Sequence, residues 1–391
     1  MLSNVKVLDL SRVLAGPLCS MILGDLGADV IKIERPGSLD GARDGSGHSV
    51  AGDETRGWGP PFDGRGESAY YLSANRNKLG VAVDLASSEG LALVTRLLVE
   101  ADVVIDNFRA GALDRLGIDV AVLLERHPRL IWCTITGFGA GSDRPGYDFV
   151  VQAESGWMAI TGVPEGDPMK VGVALADVIA GKDAAIAILA ALVGRDVPRP
   201  ASARHLVISL AHSATAALVN VAQNTLVSGD EARRWGNAHA NLVPYELFHA
   251  ADRALVIAVG SDAQWRSCAR ALDLLDLAND AGAATNSGRL SHRQFLAAEI
   301  GARVATRPAA HWIERLRAAG VPCGIVRSVK EALADVPGGA SPLTGVSPAV
   351  PGTVRLPPPR LDEHGELVRE LGWGAFSRVG VRARDTVGSD S

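Results

Sequence analysis

The sequence is poor in the residues that mark several large classes of protein. Among 391 residues there are four cysteines, and aromatic residues make up 5%. The cysteines (Cys19, Cys133, Cys268 and Cys323) are widely separated, with no CxxC pair and no Cys/His spacing typical of a metal site. Neither a disulfide framework nor a bound metal is therefore predicted, and free thiols in a reducing compartment are expected.

Strong charge and long apolar runs are also missing. The net charge is −5, without a basic stretch of the kind that binds nucleic acid. The apolar run at 184–193 is too short to cross a bilayer, which takes ~20 residues. The opening "MLSNVKVLDL" has no basic segment followed by an apolar one, so it does not read as a signal peptide. We expect a cytoplasmic protein with no nucleic-acid or membrane partner.

What the chain does contain is a regular alternation of strand-like and helix-like segments. "VKVLDL", "DVIKIER", "LGVAVDL", "DVVIDNF" and "LIWCTITGFG" are apolar and strand-like, and helical patterns separate most of them. This order predicts an α/β fold with a Rossmann-like, mainly parallel sheet. Ligands of such sheets bind outside the carboxyl ends of the strands, here the turns "DLSRVLAGP", "IERPG", "DNFRAG" and "TGFGAG".

Length and composition indicate more than one domain. A chain of 391 residues exceeds what one hydrophobic core usually supports. The Pro/Arg-rich segment "GRDVPRPASAR" is a candidate linker, and a long helical segment, "SLAHSATAALVNVAQNTLVSG", follows it. Residues 37–70 are rich in Gly, Asp, Ser and Pro, which is typical of a mobile cover over a site and equally of a disordered loop.

Two common chemistries are disfavoured by the motifs. "LSRVLAGP" lacks the glycines of G-x-G-x-x-G, so a nicotinamide site is not expected. "AESGW" is not the G-x-S-x-G elbow of a hydrolase. Of nine histidines, His239 stands out because it lies between Asn237 and Asn241, although an ordinary loop residue is as good an interpretation.

Basic residues collect near the predicted strand ends. Arg76 and Lys78 lie in "SANRNK", and Arg109 and Arg115 lie in "DNFRAGALDRLG". Taken singly each is most simply a solvated surface charge. Together they offer guanidinium and ammonium groups that could bind phosphates.

Asp177 stands where an apolar strand-like run passes into an Ala/Ile-rich helix, in "VGVALADVIAGKDAAIAILAAL". One interpretation is a helix N-cap, because Asp is among the residues preferred there. The other is a reactive carboxylate at a helix N-terminus, where N–H groups and positive partial charge would stabilise an oxyanion.

Six ordered blocks resemble the family III CoA-transferases. They are "VLDLSRVLAGPLCSMILGDLGADVIKIERPG", "YYLSANRNKLGVAVDL", "DVVIDNFRAGALDRLGID", "ITGFGAGSDRPGYDFVVQAESGWMAITG", "VALADVIAGKDAAIAILAAL" and "RWGNAHANLVPYELF". That family includes formyl-CoA and carnitine CoA-transferases and the related α-methylacyl-CoA racemases. The resemblance implies CoA and acyl-CoA as substrates, no prosthetic group, and an interlocked homodimer. It also implies a large domain at 1–200, a helical linker at 201–229, an inserted smaller α/β domain at 230–330, and a return to the large domain at 331–391.

The resemblance also implies roles for individual residues. Asp177 matches the catalytic aspartate, Arg35 the adenine end of CoA, and Leu14 and Ala15 the turn that lines the thioester. The remaining positions implied to bind CoA are Asn75, Arg76, Lys78, Asn107, Phe108, Arg109, Arg115 and Tyr147. The segment "GNAHAN", with Asn237, His239 and Asn241, resembles the substrate loop of the branch that acts on dicarboxylic acids such as mesaconate, citramalate or glutarate.

One departure separates two chemistries within that family. Its racemases place a His in a "GHD" turn, whereas this chain has Tyr147 in "PGYDF". Tyrosine, with an unperturbed pKa near 10, is a poor general base at neutral pH. We therefore expect reversible CoA transfer between an acyl-CoA such as succinyl-CoA and a carboxylic acid. A 2-methylacyl-CoA racemase or a catalytically silent CoA-binding protein is the alternative.

Overall fold

The computed structural model of the chain describes residues 1–37 and 51–385. Residues 38–50 of the predicted 37–70 cover lie outside the described residues. The chain divides into two compact units. The first comprises Met1–Trp157, Val171–Gln223 and the chain from Asp335 onward, and the second comprises Met158–Lys170 and Asn224–Ala334.

The first unit is built on a six-stranded parallel sheet. Its strands are β1 (Lys6–Asp9), β2 (Asp29–Glu34), β3 (Lys78–Ala82), β4 (Val103–Asp106), β5 (Ile131–Thr136) and β6 (His205–Ser209). The order β3-β2-β1-β4-β5-β6 confirms the Rossmann-like parallel sheet predicted from the sequence. The order reverses between β1 and β4, so a crevice opens there at the carboxyl ends of the strands.

Helices cover both faces of this sheet. Those of the first unit up to β6 are α1 (Ala15–Asp25), α2 (Ala69–Leu72), α3 (Ser88–Glu100), α4 (Ala112–Arg115), α5 (Val120–Arg126), α6 (Asp148–Glu154) and α8 (Leu175–Val193), with α7 (Trp157–Ile160) at the unit boundary. Because successive strand residues point to opposite faces, Val7 packs in the core beneath α1 and α8, and Leu8 packs in the core beneath α3 and α5.

The segment after residue 200 corrects one prediction. Residues 201–229 were expected to be a helical linker, but His205–Ser209 forms β6 and pairs with β5. The run "HLVIS" contains β-branched residues that suit a strand. The helical part is divided into α9 (Leu210–Ala216) and α10 (Asn220–Ser228), and Val219 between them has φ 42°.

The second unit is an α/β unit with its own core. An antiparallel sheet is formed by β7 (Tyr245–His249), β8 (Ala254–Ala258) and β9 (Cys323–Ile325). Its helices are α11 (Asp262–Ala271), α12 (Leu275–Asn279), α13 (Asn286–Ser291), α14 (Arg293–Val304), α15 (Ala309–Ala318) and α16 (Val329–Ala334). Trp265 and Trp312 are fully buried between sheet and helices.

The chain then returns to the first unit. This part contains β10 (Ala340–Ser341), β11 (Gly345–Val346), α17 (Gly365–Leu371) and α18 (Ala375–Asp385). His364 and Asp362 bind the backbone of edge strand β3: Gly80 N–H donates to His364 Nδ1 (3.2 Å) and Ala82 N–H donates to Asp362 Oδ1 (2.8 Å). Over residues 1–37 and 51–385, no helix combines the length and apolar character needed to cross a bilayer.

Candidate active site

Two cavities open where the sheet reverses its strand order. The larger, of about 610 Å³, is lined by the β1–α1 turn, the turns after β4 and β5, and Asp177. The smaller, of about 370 Å³, is lined by the ends of β1, β2 and β3. Arg12, Glu54 and Phe108 line both. The two cavities therefore adjoin, and together they suit an elongated ligand.

Asp177 does not cap the helix that carries it. It is the third residue of α8, and the N-cap position, Ala174, makes no side-chain capping bond. Asp148 Oδ1 accepts from the N–H groups of Ala176 (2.8 Å) and Asp177 (3.3 Å) instead. The N-cap interpretation of Asp177 is therefore wrong, because a different carboxylate performs that task.

Asp148 is itself fixed by Gln152. The buried Gln152 amide donates to Asp148 Oδ2 (2.6 Å) and its oxygen accepts from Val171 N–H (2.8 Å). By contrast, no group in the described part of the chain donates a hydrogen bond to the Asp177 carboxylate. One carboxylate at this helix start is committed to structure, and the other is free to react.

The surroundings of Asp177 change its protonation. Burial raises the pKa of Asp177 to about 7, and the nearby charge of Asp148 acts in the same direction. The pKa of Tyr70 rises to about 12, mainly through burial and then through the charge of Asp177. Asp177 therefore changes charge close to neutral pH, and its ionised form is poorly solvated and reactive.

The helix face that bears Asp177 packs against the β1–α1 turn. Gly181 lies one helical turn beyond Asp177, on the same face. A Cβ atom at Gly181 would come within 2.6 Å of the Ala15 carbonyl oxygen, so only glycine permits this approach. The close packing brings the turn that contains Leu14 and Ala15 next to Asp177.

Asn107 helps to fix that turn. Its amide oxygen accepts from Arg12 N–H (3.1 Å), and its amide nitrogen donates to the Arg12 carbonyl oxygen (2.7 Å). Phe108 N–H donates to the buried Asp106 carboxylate (3.0 Å), which sets the direction of the chain after β4. Both predicted residues line the larger cavity, and Phe108 also lines the smaller one.

The predicted CoA-binding residues fall into two groups. Those that line the cavities are Leu14, Ala15, Arg35, Asn107, Phe108, Arg109 and Tyr147. Tyr147 directly precedes α6 and is 56% exposed. Arg115 is exposed but is not among the residues that line either cavity in the described chain.

Asn75, Arg76 and Lys78 are placed differently from the prediction, because all three are buried. Lys78 Nζ donates to Asp9 (3.0 Å), to the Pro17 carbonyl oxygen (2.9 Å) and to Asn75 (2.8 Å). Burial lowers the pKa of Lys78 to about 8, although Asp9 opposes the shift. Its ammonium group is thus enclosed, which argues against a direct contact with CoA phosphates.

Arg76 joins the sheet to the returning chain. Its guanidinium forms a bidentate pair with buried Asp25, at 2.9 and 2.7 Å, and donates to the carbonyl oxygens of Thr344 (2.9 Å) and Val346. We call residues 344–356 the return strap. Because its donors are used in this way, the phosphate contact predicted for Arg76 has no support in this arrangement.

Part of the cavity lining was not predicted from the sequence. Residues 83–86, which follow β3, line the smaller cavity, and Glu54 lines both. The rule that ligands bind at strand ends could have indicated residues 83–86. His205 also lines the larger cavity and lies 3.0 Å from Thr134 Oγ1, and no motif indicated it.

The predicted substrate loop belongs to the second unit. Arg293 donates to the carbonyl oxygens of His239 (2.9 Å) and Ala240 (2.7 Å), and His239 Nδ1 accepts from Asn241 N–H (3.0 Å). Asn237 is exposed. The loop is held in one conformation by its own unit, and its role remains a prediction.

These features define an α/β protein with a cavity at the point where the strand order reverses, lined by an aspartate whose pKa is raised to about 7. The chain belongs to CoA-transferase family III, whose model matches residues 2–340. It is therefore a CoA-transferase, and the recognition and fold predicted from the sequence are confirmed.

Known relatives cover nearly the whole chain. It is 38% identical over 398 residues to the succinate–glutarate CoA-transferase of Agrobacterium fabrum, spanning 95% of each protein. It is 40% identical over 337 residues to the succinyl-CoA:glutarate CoA-transferase of Mus musculus, spanning 85% of this chain and 74% of that one. The crystal structure of a CAIB/BAIF family protein from Brucella suis has a TM-score of 0.80 and 36% identity, covering 94% of this chain and 98% of that one.

Proposed function

We propose that the enzyme transfers CoA reversibly between succinyl-CoA and a dicarboxylate of the glutarate type, through covalent intermediates on Asp177. The observation that carries the mechanism is the state of Asp177: its carboxylate lines the larger cavity with no hydrogen-bond donor among the residues that the structure describes, and its pKa is raised to about 7. The dicarboxylate acceptor is supported by the glutarate-specific names of two relatives.

Transfer without hydrolysis requires that the energy of the thioester be retained. The Asp177 carboxylate attacks the succinyl-CoA carbonyl, forming a mixed anhydride as the C–S bond breaks and CoA leaves as a thiolate. The thiolate attacks the aspartyl carbonyl, which gives an aspartyl-CoA thioester and releases succinate. The acceptor carboxylate then attacks the aspartyl-CoA thioester, which forms a second mixed anhydride and releases CoA thiolate. The thiolate attacks the acceptor carbonyl of this anhydride, which gives the new acyl-CoA and frees the Asp177 carboxylate.

The start of α8 suits this chemistry. Asp148 occupies the first free N–H groups of the helix, at Ala176 and Asp177, but the positive partial charge of the helix start still favours a developing oxyanion beside it. Asp148 keeps the first turn of the helix in place and, together with burial, raises the energy of the Asp177 anion before attack. The Asp177 side chain is only partly exposed, which limits the access of the water that would destroy an anhydride.

CoA would extend across both cavities. Its nucleotide end is assigned to the smaller cavity, beside Arg35 and residues 83–86, and its pantetheine arm would pass Phe108, which lines both cavities. The thioester would then lie between the Leu14–Ala15 turn and Asp177. Arg109, an exposed residue on the larger cavity, is available for a phosphate or carboxylate.

A homodimer, interlocked as the resemblance implies, is part of the proposal. It is supported by apolar side chains left open on α8, where Ile186 is 65% and Val193 88% exposed. The cytoplasm is the proposed compartment, since the described cysteines are free thiols. Sedimentation velocity checks the dimer, because a monomer at micromolar concentration would contradict it.

The direct test is a matrix of acyl-CoA donors and carboxylic acids. Purified enzyme is mixed with succinyl-CoA and either glutarate, mesaconate, citramalate or a monocarboxylate such as acetate, and new CoA esters are followed by mass spectrometry. Glutaryl-CoA should form fastest. Efficient transfer to acetate with none to a dicarboxylate would contradict the acceptor assignment. Hydrolysis of the succinyl-CoA thioester without formation of a new CoA ester would contradict the proposed function.

A further inference from the structure

The β1–α1 turn contains a residue in an unfavourable backbone conformation. Val13 has φ 70°, in the left-handed region, where a β-branched side chain is strained and glycine is favoured. A strained residue persists only where its surroundings fix it. Because Val13 lines the larger cavity next to Leu14 and Ala15, the groups that fix it also set the shape of the wall facing Asp177.

A buried ion pair supplies the fixing contacts. Val13 N–H lies 3.2 Å from each carboxylate oxygen of Asp53. Lys32 Nζ lies 3.1 Å from Asp53 Oδ2 and donates to the Ser11 carbonyl oxygen (2.8 Å). The side chains of Lys32 and Asp53 are both fully enclosed. The pair therefore binds peptide groups on both sides of Arg12.

The position of this pair matters for the reaction because the turn it holds is in contact with α8. The Ala15 carbonyl oxygen packs against Gly181, on the face of α8 that carries Asp177. If Val13 relaxed out of the left-handed region, the path of the chain through Leu14 and Ala15 would change, and with it the distance between the thioester-binding wall and Asp177. Small displacements of this kind reduce turnover strongly.

We propose that Asp53 and Lys32 are positioning residues. They hold Val13 in the left-handed conformation and so keep the Leu14–Ala15 wall at the distance from Asp177 that the reaction needs. The inference rests on the proposed function, in which Asp177 is the nucleophile. Asp53 does not touch the reacting atoms in this account. Asp53 also lines the smaller cavity and accepts from Thr55 N–H (3.1 Å) and from the Thr55 hydroxyl (2.8 Å), and a mutant cycle with Val13 separates these contacts from its effect on the backbone of residue 13.

A double-mutant cycle between positions 13 and 53 tests this. Asp53→Ala removes the acceptor for Val13 N–H, and we expect kcat for succinyl-CoA and glutarate to fall at least tenfold. Glycine occupies the left-handed region without steric strain. Val13→Gly should therefore recover most of the kcat that Asp53→Ala loses. The effect of Val13→Gly on the otherwise wild-type enzyme is measured separately and corrected for. Additive effects on kcat, or an Asp53→Ala enzyme within twofold of the wild type, would overturn the proposal.

Controls separate positioning from stability. Asp25→Ala disrupts a buried ion pair of the same unit that does not touch the turn, so its effect on kcat should add to that of Val13→Gly without rescue. The Tm of every variant is measured alongside. Rescue of Tm and kcat by Val13→Gly in both backgrounds would indicate general stabilisation and overturn the proposal.

A second variant covers the case in which Asp53→Ala does not fold. Asp53→Asn keeps an acceptor for Val13 N–H but weakens the attraction for Lys32, and we expect a loss of at least threefold in kcat that Val13→Gly reduces. If Asp53→Asn does not lower kcat, or if Val13→Gly does not reduce the loss in kcat, the proposal is overturned. The proposed function is judged separately, because wild-type enzyme that exchanges CoA and labels Asp177 supports it whatever the cycle shows.

Discussion

Charged residues at the rim of the cavities differ from those in the layer beneath them. At the rim, Arg35 and Arg109 are exposed, and neither forms an ion pair within the described residues. In the layer beneath, Arg76 pairs with Asp25 and Lys78 with Asp9, both in buried contacts. We call these two sets the rim and the buried layer.

This difference distinguishes cations available to bind a ligand from cations that stabilise the fold. Arg35 Nε donates to the Gly52 carbonyl oxygen (3.1 Å), but neither rim cation would have to break an ion pair within the described residues in order to bind a phosphate. A buried charge has already lost its hydration, and its partner and hydrogen bonds must compensate for that loss. The buried layer therefore fixes the turns and the return strap, and the rim and Asp177 meet the substrate.

The largest expected effect is at Asp177. Asp177→Asn should reduce CoA exchange by at least ~10⁴-fold, because the nucleophile is lost while the fold is kept. Exchange between succinyl-CoA and glutarate, followed by mass spectrometry, measures it. Asp183→Asn on the same helix is the matched control. An Asp177→Asn enzyme with a tenth of wild-type turnover would contradict the mechanism.

The same substitution should stabilise the protein at high pH. The folded-state pKa of Asp177, about 7, lies above the usual aspartate value of 3.8, so the folded state keeps the proton between these pH values and loses stability as pH rises through them. Asp177→Asn removes that loss, by up to about 4 kcal/mol at pH 8 and very little at pH 4. Urea unfolding at both pH values measures the difference; equal effects at the two would contradict the account.

Next in size is the breaking of the buried layer. Arg76→Met leaves Asp25 buried without its partner and frees the return strap, and it should lower the free energy of unfolding by about 3–5 kcal/mol. KM for succinyl-CoA of the folded fraction should stay within a factor of two. Arg35→Met at the rim should leave the unfolding free energy unchanged. A large increase in KM for succinyl-CoA in the Arg76→Met enzyme would indicate that Arg76 binds CoA after all.

A rim cation should show the opposite pattern. Arg109→Gln is expected to raise KM for succinyl-CoA about tenfold, as for a lost charge-assisted hydrogen bond, with Tm unchanged. Arg129→Gln, which removes an exposed ion pair with Asp196 outside both cavities, is the control. Equal KM values for the two variants would show that Arg109 does not bind the ligand.

The smallest effect concerns the pH profile. The rate kcat/KM should rise with pH through about 7 as Asp177 loses its proton. Asp148→Asn keeps an acceptor for the Ala176 N–H group but removes the charge, so the profile should move to lower pH by ~0.5–1 unit. Burial remains, and it is the larger cause. A shift to higher pH would show that Asp148 does not raise the pKa of Asp177.

The sheet could be predicted from the sequence to a large extent, because apolar runs of strand length alternate with helical patterns. β6 was not predicted because it directly follows the Pro/Arg-rich segment, which is typical of the start of a linker; its five residues make it no shorter than β1 or β4. Asp177 is a candidate nucleophile from the sequence as well, through the blocks on either side of it, and this role stays a prediction.

The sequence alone could not show which carboxylate caps α8, or which basic residues are buried and which are exposed. Asp148 lies 29 positions before Asp177, and only the folded chain shows that it, and not Asp177, caps α8. "SANRNK" has two basic residues and "DNFRAG" only one, yet it is the first that is enclosed by α1 and the return strap. Burial by distant segments leaves no local pattern.

The central claim is that Asp177 becomes covalently acylated. Enzyme is incubated with succinyl-CoA, treated with hydroxylamine, digested, and examined by tandem mass spectrometry. The account predicts a hydroxamate on Asp177, in the peptide that begins α8, and none on Asp148 or Asp183. Rapid CoA exchange by an enzyme whose Asp177 stays unmodified with every competent donor would contradict it.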